Sequence, residues 1–173
     1  LTRMLLPLLR ESADASVVFA GSSVSVRGRA YWGAYAASKF ALEAVSECLA
    51  QEVKPFDVRV AIVEPGSTDT QMATRISVVP GSSHYPGPGR MAALYRGVLR
   101  QPIPPTLVAE KVLEIAVSSS WQLRHLVGPD AAPFLAWRQA MSDEEWVAFG
   151  ALDDDAWYAR VKADFGIDAR PHT

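Results

Sequence analysis

Tyr35 and Lys39 stand four residues apart, and Ser22 lies 13 residues before the tyrosine. Side chains at i and i+4 of a helix leave from one face, so this spacing brings a phenol and an ammonium to one rim. A free phenol has a pKa of about 10 and is a poor base at neutral pH, but an ammonium one turn away stabilises the phenolate. Tyr35 is therefore a candidate general acid or base. Ser22 is a candidate donor that holds a carbonyl oxygen against the phenol while alkoxide charge develops. Together the three groups move a proton to or from an oxygen on carbon. They include no redox centre, so a hydride carrier has to bind nearby.

The spacing alone is weak. Five Tyr and four Lys in this chain yield about 0.1 such pairs by chance. Two occur. Tyr158 and Lys162 form the second, behind the acidic run Asp153 to Asp155 and without a serine loop before it, and they are expected as a solvated helix face. Ser22 taken alone is a loop serine capping a turn. Cys48 is expected to be a small buried or interface residue, and the Trp and Phe residues of the tail to be core or a hydrophobic lid. His84, His125 and His172 show no ligand spacing, so no metal site is expected.

The elements that must position the trio are legible from periodicity. Leu1, Leu5, Leu6 and Leu9 repeat at helical spacing up to about residue 11, and residues 16–20 (SVVFA) read as a strand buried on both faces. From Gly33 to about Val53 a long helix is expected, with Leu42, Val45, Leu49 and Val53 on one stripe and Tyr35, Lys39 and Glu43 on another. Residues 58–63 (VRVAIV) form a second buried strand ended by Glu64-Pro65-Gly66. Strand, crossover helix and strand make a βαβ unit with parallel strands, so the fold class is α/β. Residues 67–104 are a Gly- and Pro-rich loop or lid with a short helix near 90–99. A helix over 106–118, a third strand at 124–127 and two or three short amphipathic segments follow. Ligands of such sheets bind outside the carboxyl ends of the strands, where the loops after Ala20 and after Pro65 lie.

Composition narrows the function. Lys plus Arg is 17 against 19 Asp plus Glu, which speaks against nucleic acid or an acidic lipid surface as a partner. No run approaches the roughly 18 apolar residues of a membrane helix. One cysteine allows no intrachain disulfide, and a reducing cytoplasm fits best. Met4 lies within the first periodic segment, so a truncated chain is suspected.

The stretch FAGSSVSVRGRAYWGAYAASKFALEAVSECLAQEVKPFDVRVAIVEPGSTDT resembles the short-chain dehydrogenase/reductase family over its whole length. The serine loop, the Tyr-x-Ala-Ser-Lys helix and the strand ending in Pro-Gly carry the resemblance, and Gly28 falls six residues after the serine, as in that family. The resemblance implies Ser22 as the carbonyl-orienting serine, Tyr35 as acid/base, and Lys39 as the group that holds the nicotinamide ribose and tunes Tyr35. Pro65 and Gly66 would turn the chain under the nicotinamide. The backbone of Thr68 and the hydroxyl of Thr70 would meet the carboxamide or pyrophosphate. It also implies NAD or NADP as cofactor, a small alcohol or ketone as substrate, and a homo-oligomer when full length.

Ser25 departs from the family, which often carries glycine there, as does Thr68, where Val or Ile is common. The family's glycine-rich turn and its catalytic asparagine are not found in this chain. The one internal glycine pattern, Gly87-Pro88-Gly89-Arg90-Met91-Ala92, has no strand before it, and Pro88 removes an amide that such a loop aims at phosphate.

The expected architecture is thus a partial Rossmann-like, doubly wound parallel sheet whose N-terminal βαβ units are missing. Residues 1–130 are its catalytic part and residues 131–173 its helical extension or lid. Apolar residues of the loop 71–105, including Met72, Ile76, Val78, Val79, Tyr85 and Met91, suit an apolar substrate or their own packing. The alternative is a truncated or degenerate member acting as an oligomerisation or binding module. One sheet edge is expected to be open, with apolar residues of the first helix and first strand exposed.

Overall fold

The computed structural model describes residues 1–25, 27–74, 84–85 and 87–170. Expectations for Ile76, Val78, Val79 and His172 lie outside them. Helix α1 (Thr2–Glu11) leads into strand β1 (Ala15–Ala20), the long helix α2 (Gly33–Val53) and strand β2 (Val58–Pro65). The two strands pair directly and in parallel, Ala15 opposite Val58 through Ala20 opposite Val63. Strand β3 (Arg124–Val127) pairs with the other side of β2, so β2 is the central strand of the order β1-β2-β3.

β2 is buried along its length because both faces are covered. Val58 and Val60 meet Leu49 and Val53 of α2. On the opposite face, Ala61 and Val63 meet Ile115 of α5 (Pro105–Val117), together with Ile103 and Val127. The strand runs two residues beyond the expected end at Val63. Pro65 has no N–H to give, but its carbonyl accepts from Ser23 N (2.9 Å) and its Cα stays in register with Val127.

The inward arc of α2 differs from the expected apolar stripe. It carries Ala36, Glu43, Ser46, Leu49 and Val53, whereas Val45 is 54% exposed. Glu43 can turn inward because Arg124 meets its carboxylate at 3.0 Å, and Ser46 because its hydroxyl donates to Leu42 O at 2.7 Å. Cys48 falls outside that arc and is exposed, so of the two expected placements, buried or at an interface, the first does not hold.

The short turn α3 (Gln71–Thr74) and helix α4 (Pro88–Val98) lie in the Pro- and Gly-rich segment. Helices α6 (Ala131–Gln139), α7 (Asp143–Ala151) and α8 (Asp154–Phe165) close the described chain. Asp153 caps α8, its side chain accepting from Ala156 N at 2.8 Å, as the acidic run suggests. α4 and α8 share a cluster of Ala93, Leu94, Trp157 and Val161. Tyr158 is half-buried against this cluster rather than solvated, because α8 is held face-on to α4, while Lys162 stays exposed and pairs with Asp168 at 2.8 Å.

β1 is an edge strand of the described sheet, and α1 has no buried residue: Leu1 is 93% and Met4 81% exposed. The apolar edge anticipated from the sequence is present. No helix among the described residues is long and apolar enough to cross a membrane.

Candidate functional site

The loops after β1 and β2 are stitched together at the carboxyl edge of the sheet. Gly21 N donates to Val63 O (2.7 Å) and Ser23 N to Pro65 O (2.9 Å). Ser22, between these two bonds, is buried. Its N–H donates to Ser25 Oγ at 2.9 Å, and its own Oγ accepts from Val24 N at 3.3 Å. The Ser22 O–H thus keeps its proton for another acceptor. Ser25, fully buried where glycine is common in the resembling family, serves as the bracket that holds the Ser22 backbone.

Tyr35 and Lys39 reach the same edge from the first two turns of α2. Lys39 Nζ donates to Ala20 O at 2.9 Å, two residues before Ser22, and lies 5.8 Å from the centre of the Tyr35 ring. Burial holds the Lys39 ammonium below its ordinary value. The Tyr35 ring is braced edge-on by Trp32, centroids 5.7 Å apart, and Trp32 meets Tyr95 of α4 at 5.2 Å. Among the described residues no hydrogen bond joins the Ser22 and Tyr35 hydroxyls.

The loop after β2 is shaped by a close approach at Gly66. A Cβ built at Gly66 would fall inside the Asp130 carboxylate, whose Oδ2 accepts from Ser67 N at 2.9 Å. Thr68 Oγ1 donates to Gly66 O (3.1 Å), and Thr70 Oγ1 accepts from Ala73 N (3.3 Å), so both hydroxyls shape the loop locally. Thr68 also bridges to Ile103. That bridge uses the carbonyl of Ser67 and the N–H of Asp69, so the N–H of Thr68 itself points away from Ile103.

Gly66→Ala is expected to push Asp130 off the Ser67 amide and cost about 1–3 kcal/mol, the usual penalty for a buried donor left unmade. Urea unfolding of Gly66→Ala, Asp130→Ala and the double variant checks it. The two losses should overlap rather than add, and full additivity would deny the contact.

Charged residues behind this edge are not signalled by any motif. Glu64, 1% exposed, interrupts the apolar strand. Burial first, and then the neighbouring Glu43 carboxylate, push its pKa up to about 7, against the pull of Arg124 and Arg27. The only hint in the sequence is an acid in a run otherwise read as buried. The folded state binds this proton more tightly than the unfolded chain. The associated stability is therefore complete below the unfolded value near 4.5 and is lost as pH rises through about 7. Glu64→Gln should flatten that profile, gaining about 1–2 kcal/mol relative to the parent between pH 5 and pH 8. Denaturant midpoints at the two pH values test it; parallel profiles would show that Glu64 is not the titrating group.

Comparison with known proteins converges on the same edge. The family profile described as short chain dehydrogenase matches residues 1–78, the segment that carries Ser22, Tyr35, Lys39, Pro65 and Gly66. The uncharacterized oxidoreductase YciK of Escherichia coli is 51% identical over 80 residues, 46% of this chain and 31% of that protein. A crystal structure of a short-chain dehydrogenase from Streptomyces avermitilis superposes with a TM-score of 0.65 at 34% identity, covering 87% of this chain and 57% of that one. Another from Shigella flexneri, described as complexed with NADP, gives a TM-score of 0.52 at 35% identity over 72% of this chain and 46% of that one. The chain thus spans 31% to 57% of the length of these relatives. A profile over the segment that bears the serine, the tyrosine and the lysine, and identity above a third to solved dehydrogenases of the same fold, agree: the chain is similar to the short-chain dehydrogenases in fold and in the segment that carries the candidate site.

Proposed function

We propose that this chain is the catalytic part of an NAD- or NADP-dependent oxidoreductase acting on a small secondary alcohol or carbonyl compound. Residues 1–130 would carry the chemistry and residues 131–173 a helical lid. The observation that carries the reading is Lys39, anchored at 2.9 Å to the carbonyl that ends β1 and standing beside the Tyr35 ring. An ammonium has three donors, and among the described residues only one is used, on Ala20 O, which leaves two for the hydroxyls of a ribose. Beyond the turn at Pro65-Gly66, whose one N–H is spent on Val127 O, the N–H of Thr68 offers a backbone donor, and the O–H of Thr70 keeps its proton for another acceptor. The residues present thus fit the nicotinamide-ribose half of a dinucleotide.

When bound, that cofactor supplies or accepts the hydride. The chain's own groups handle the proton. Ser22 O–H donates to the substrate oxygen and fixes its orientation. Tyr35 O–H delivers a proton to that oxygen in reduction and takes it back in oxidation, while Lys39 stabilises the phenolate left behind. Trp32 braces the ring so that the hydroxyl stays aimed. The relative described as complexed with NADP supports the cofactor class.

The test is consumption of NADH or NADPH by the natural gene product against a panel of ketones and aldehydes, and the reverse with secondary alcohols. Turnover with either cofactor is expected. Absence of both turnover and cofactor binding would overturn the reading.

A further inference from the structure

α4, α6, α7 and α8 enclose a cavity of about 240 Å³ walled by aromatic rings, including Phe134, Trp137, Trp146 and Phe149. Phe134 stacks on Phe165 at 4.2 Å, and Trp137 meets Trp146 edge-on at 5.6 Å, so the walls are braced against one another. Arg29 lines this cavity and spans from it toward the candidate site: its Cζ is 5.0 Å from the Phe134 ring and 5.9 Å from the Trp32 ring that braces Tyr35.

Arg27 stands beside it, 3% exposed, its Cζ 5.4 Å from the centre of the Phe134 ring. Among the described residues none of the three guanidinium nitrogens of Arg27 has a hydrogen-bond partner. Among the described residues neither arginine makes a salt bridge. Burial, and after it the charge of Arg29, holds Arg27 down to about 9, and burial holds Arg29 down to about 10 against the pull of Asp130 and Tyr95. No carboxylate among the described residues is hydrogen-bonded to the Arg27 guanidinium, and Glu64 Oε1 is itself buried without a partner. Asp130 receives the Ser67 amide. A buried guanidinium with an empty fork is costly unless an anion completes it.

We infer that Arg29, backed by the buried Arg27, is a carboxylate subsite at the Tyr35 end of the aromatic cavity, and that the substrate is an apolar or aromatic oxo- or hydroxy-acid whose body fills the cavity. As a substrate site this rests on the oxidoreductase reading; as a binding site it does not. A cavity of this size, below the usual ligand pocket of ~300–1,000 Å³, suits a compact body such as one aromatic ring on a short chain. Carboxylate recognition by a planar fork supplies orientation, and the rings supply apolar burial, while Arg90, which also lines the cavity, is occupied by Leu152 O and Asp154.

The probes are 4-phenylbutanoate and its neutral amide, titrated into the natural gene product with tryptophan fluorescence as readout, since Trp137 and Trp146 line the cavity. The acid should bind about tenfold or more tightly than the amide, with an advantage that shrinks as salt rises. Arg29→Gln should bring acid and amide within about threefold of each other while leaving the amide's affinity unchanged, and Arg29→Lys should retain part of the difference. Arg29 is the partly exposed member of the pair, so its substitution avoids the folding risk of Arg27. Tyr35→Phe should leave binding of the acid unaltered. Acid and amide binding alike, or neither binding, overturns the subsite. Selective binding of the acid without any nicotinamide-dependent turnover keeps the subsite and removes the oxidoreductase reading.

Discussion

On the proposed function, Tyr35→Phe is expected to lower nicotinamide-dependent turnover by about 10²- to 10⁴-fold, the range that positioned general acid/base catalysis is worth. The substitution removes one oxygen and leaves the ring. Its edge-on contact with Trp32 at 5.7 Å, and through Trp32 the contact with Tyr95 at 5.2 Å, should survive. The fold is therefore retained, and the loss falls on kcat while cofactor affinity stays within a few-fold. Lys39→Met should behave differently. It removes the bond to Ala20 O and the ammonium beside the ring, so both kcat and cofactor affinity fall. Steady-state rates with stopped-flow cofactor binding separate the two. Turnover that survives Tyr35→Phe would move the proton transfer to another group.

Ile62→Ala is expected to be the most destabilising simple truncation in the sheet, at about 2–5 kcal/mol. Ile62 is fully buried in the central strand. It is held between Phe19 of β1 and Arg124 of β3 in register, and Leu123 O accepts its N–H at 2.7 Å. A Cβ built at Gly21 would lie 2.8 Å from Ile62 Cγ1, so the isoleucine also supports the backbone just before Ser22. Removing its side chain leaves a cavity under the serine loop that a strand bonded on both sides cannot collapse into. Against a total stability of about 5–15 kcal/mol such a loss is a large fraction. Urea unfolding with unchanged m-value checks it; a loss below about 1 kcal/mol would show that the sheet closes over the gap.

Local pattern is enough to read the elements around the candidate site. The apolar β-branched runs before Gly21 and before Glu64, and the helix between them, follow from side-chain periodicity set by backbone geometry alone. The acidic run at Asp153 caps a helix as its charges require. Burial on α2 was less legible. Val45 and Cys48 are apolar enough to be expected inside, yet Glu43 and Ser46 face inward instead. Arg124, 81 residues away, meets Glu43, and Leu42 O meets Ser46. A partner that distant leaves no trace in a window of one helix.

Sequence by itself determined the parallel βαβ unit, the placement of Ser22, Tyr35 and Lys39 at one edge of it, and the likeness to short-chain dehydrogenases, because each depends on residue type and short spacing. Tertiary structure alone decided which charges are buried together. Arg27 and Arg29 flank Gly28 in a loop and carry no pattern, and Asp130 and Phe134 belong to a segment more than 100 residues later. Chain reversal through β2, β3 and α6 brings them within reach of one another and sets them against the aromatic rings of the tail. Desolvation and Coulomb energy depend on through-space distance, not on separation along the chain. The empty guanidinium fork beside the aromatic cavity therefore emerges only once the chain is folded.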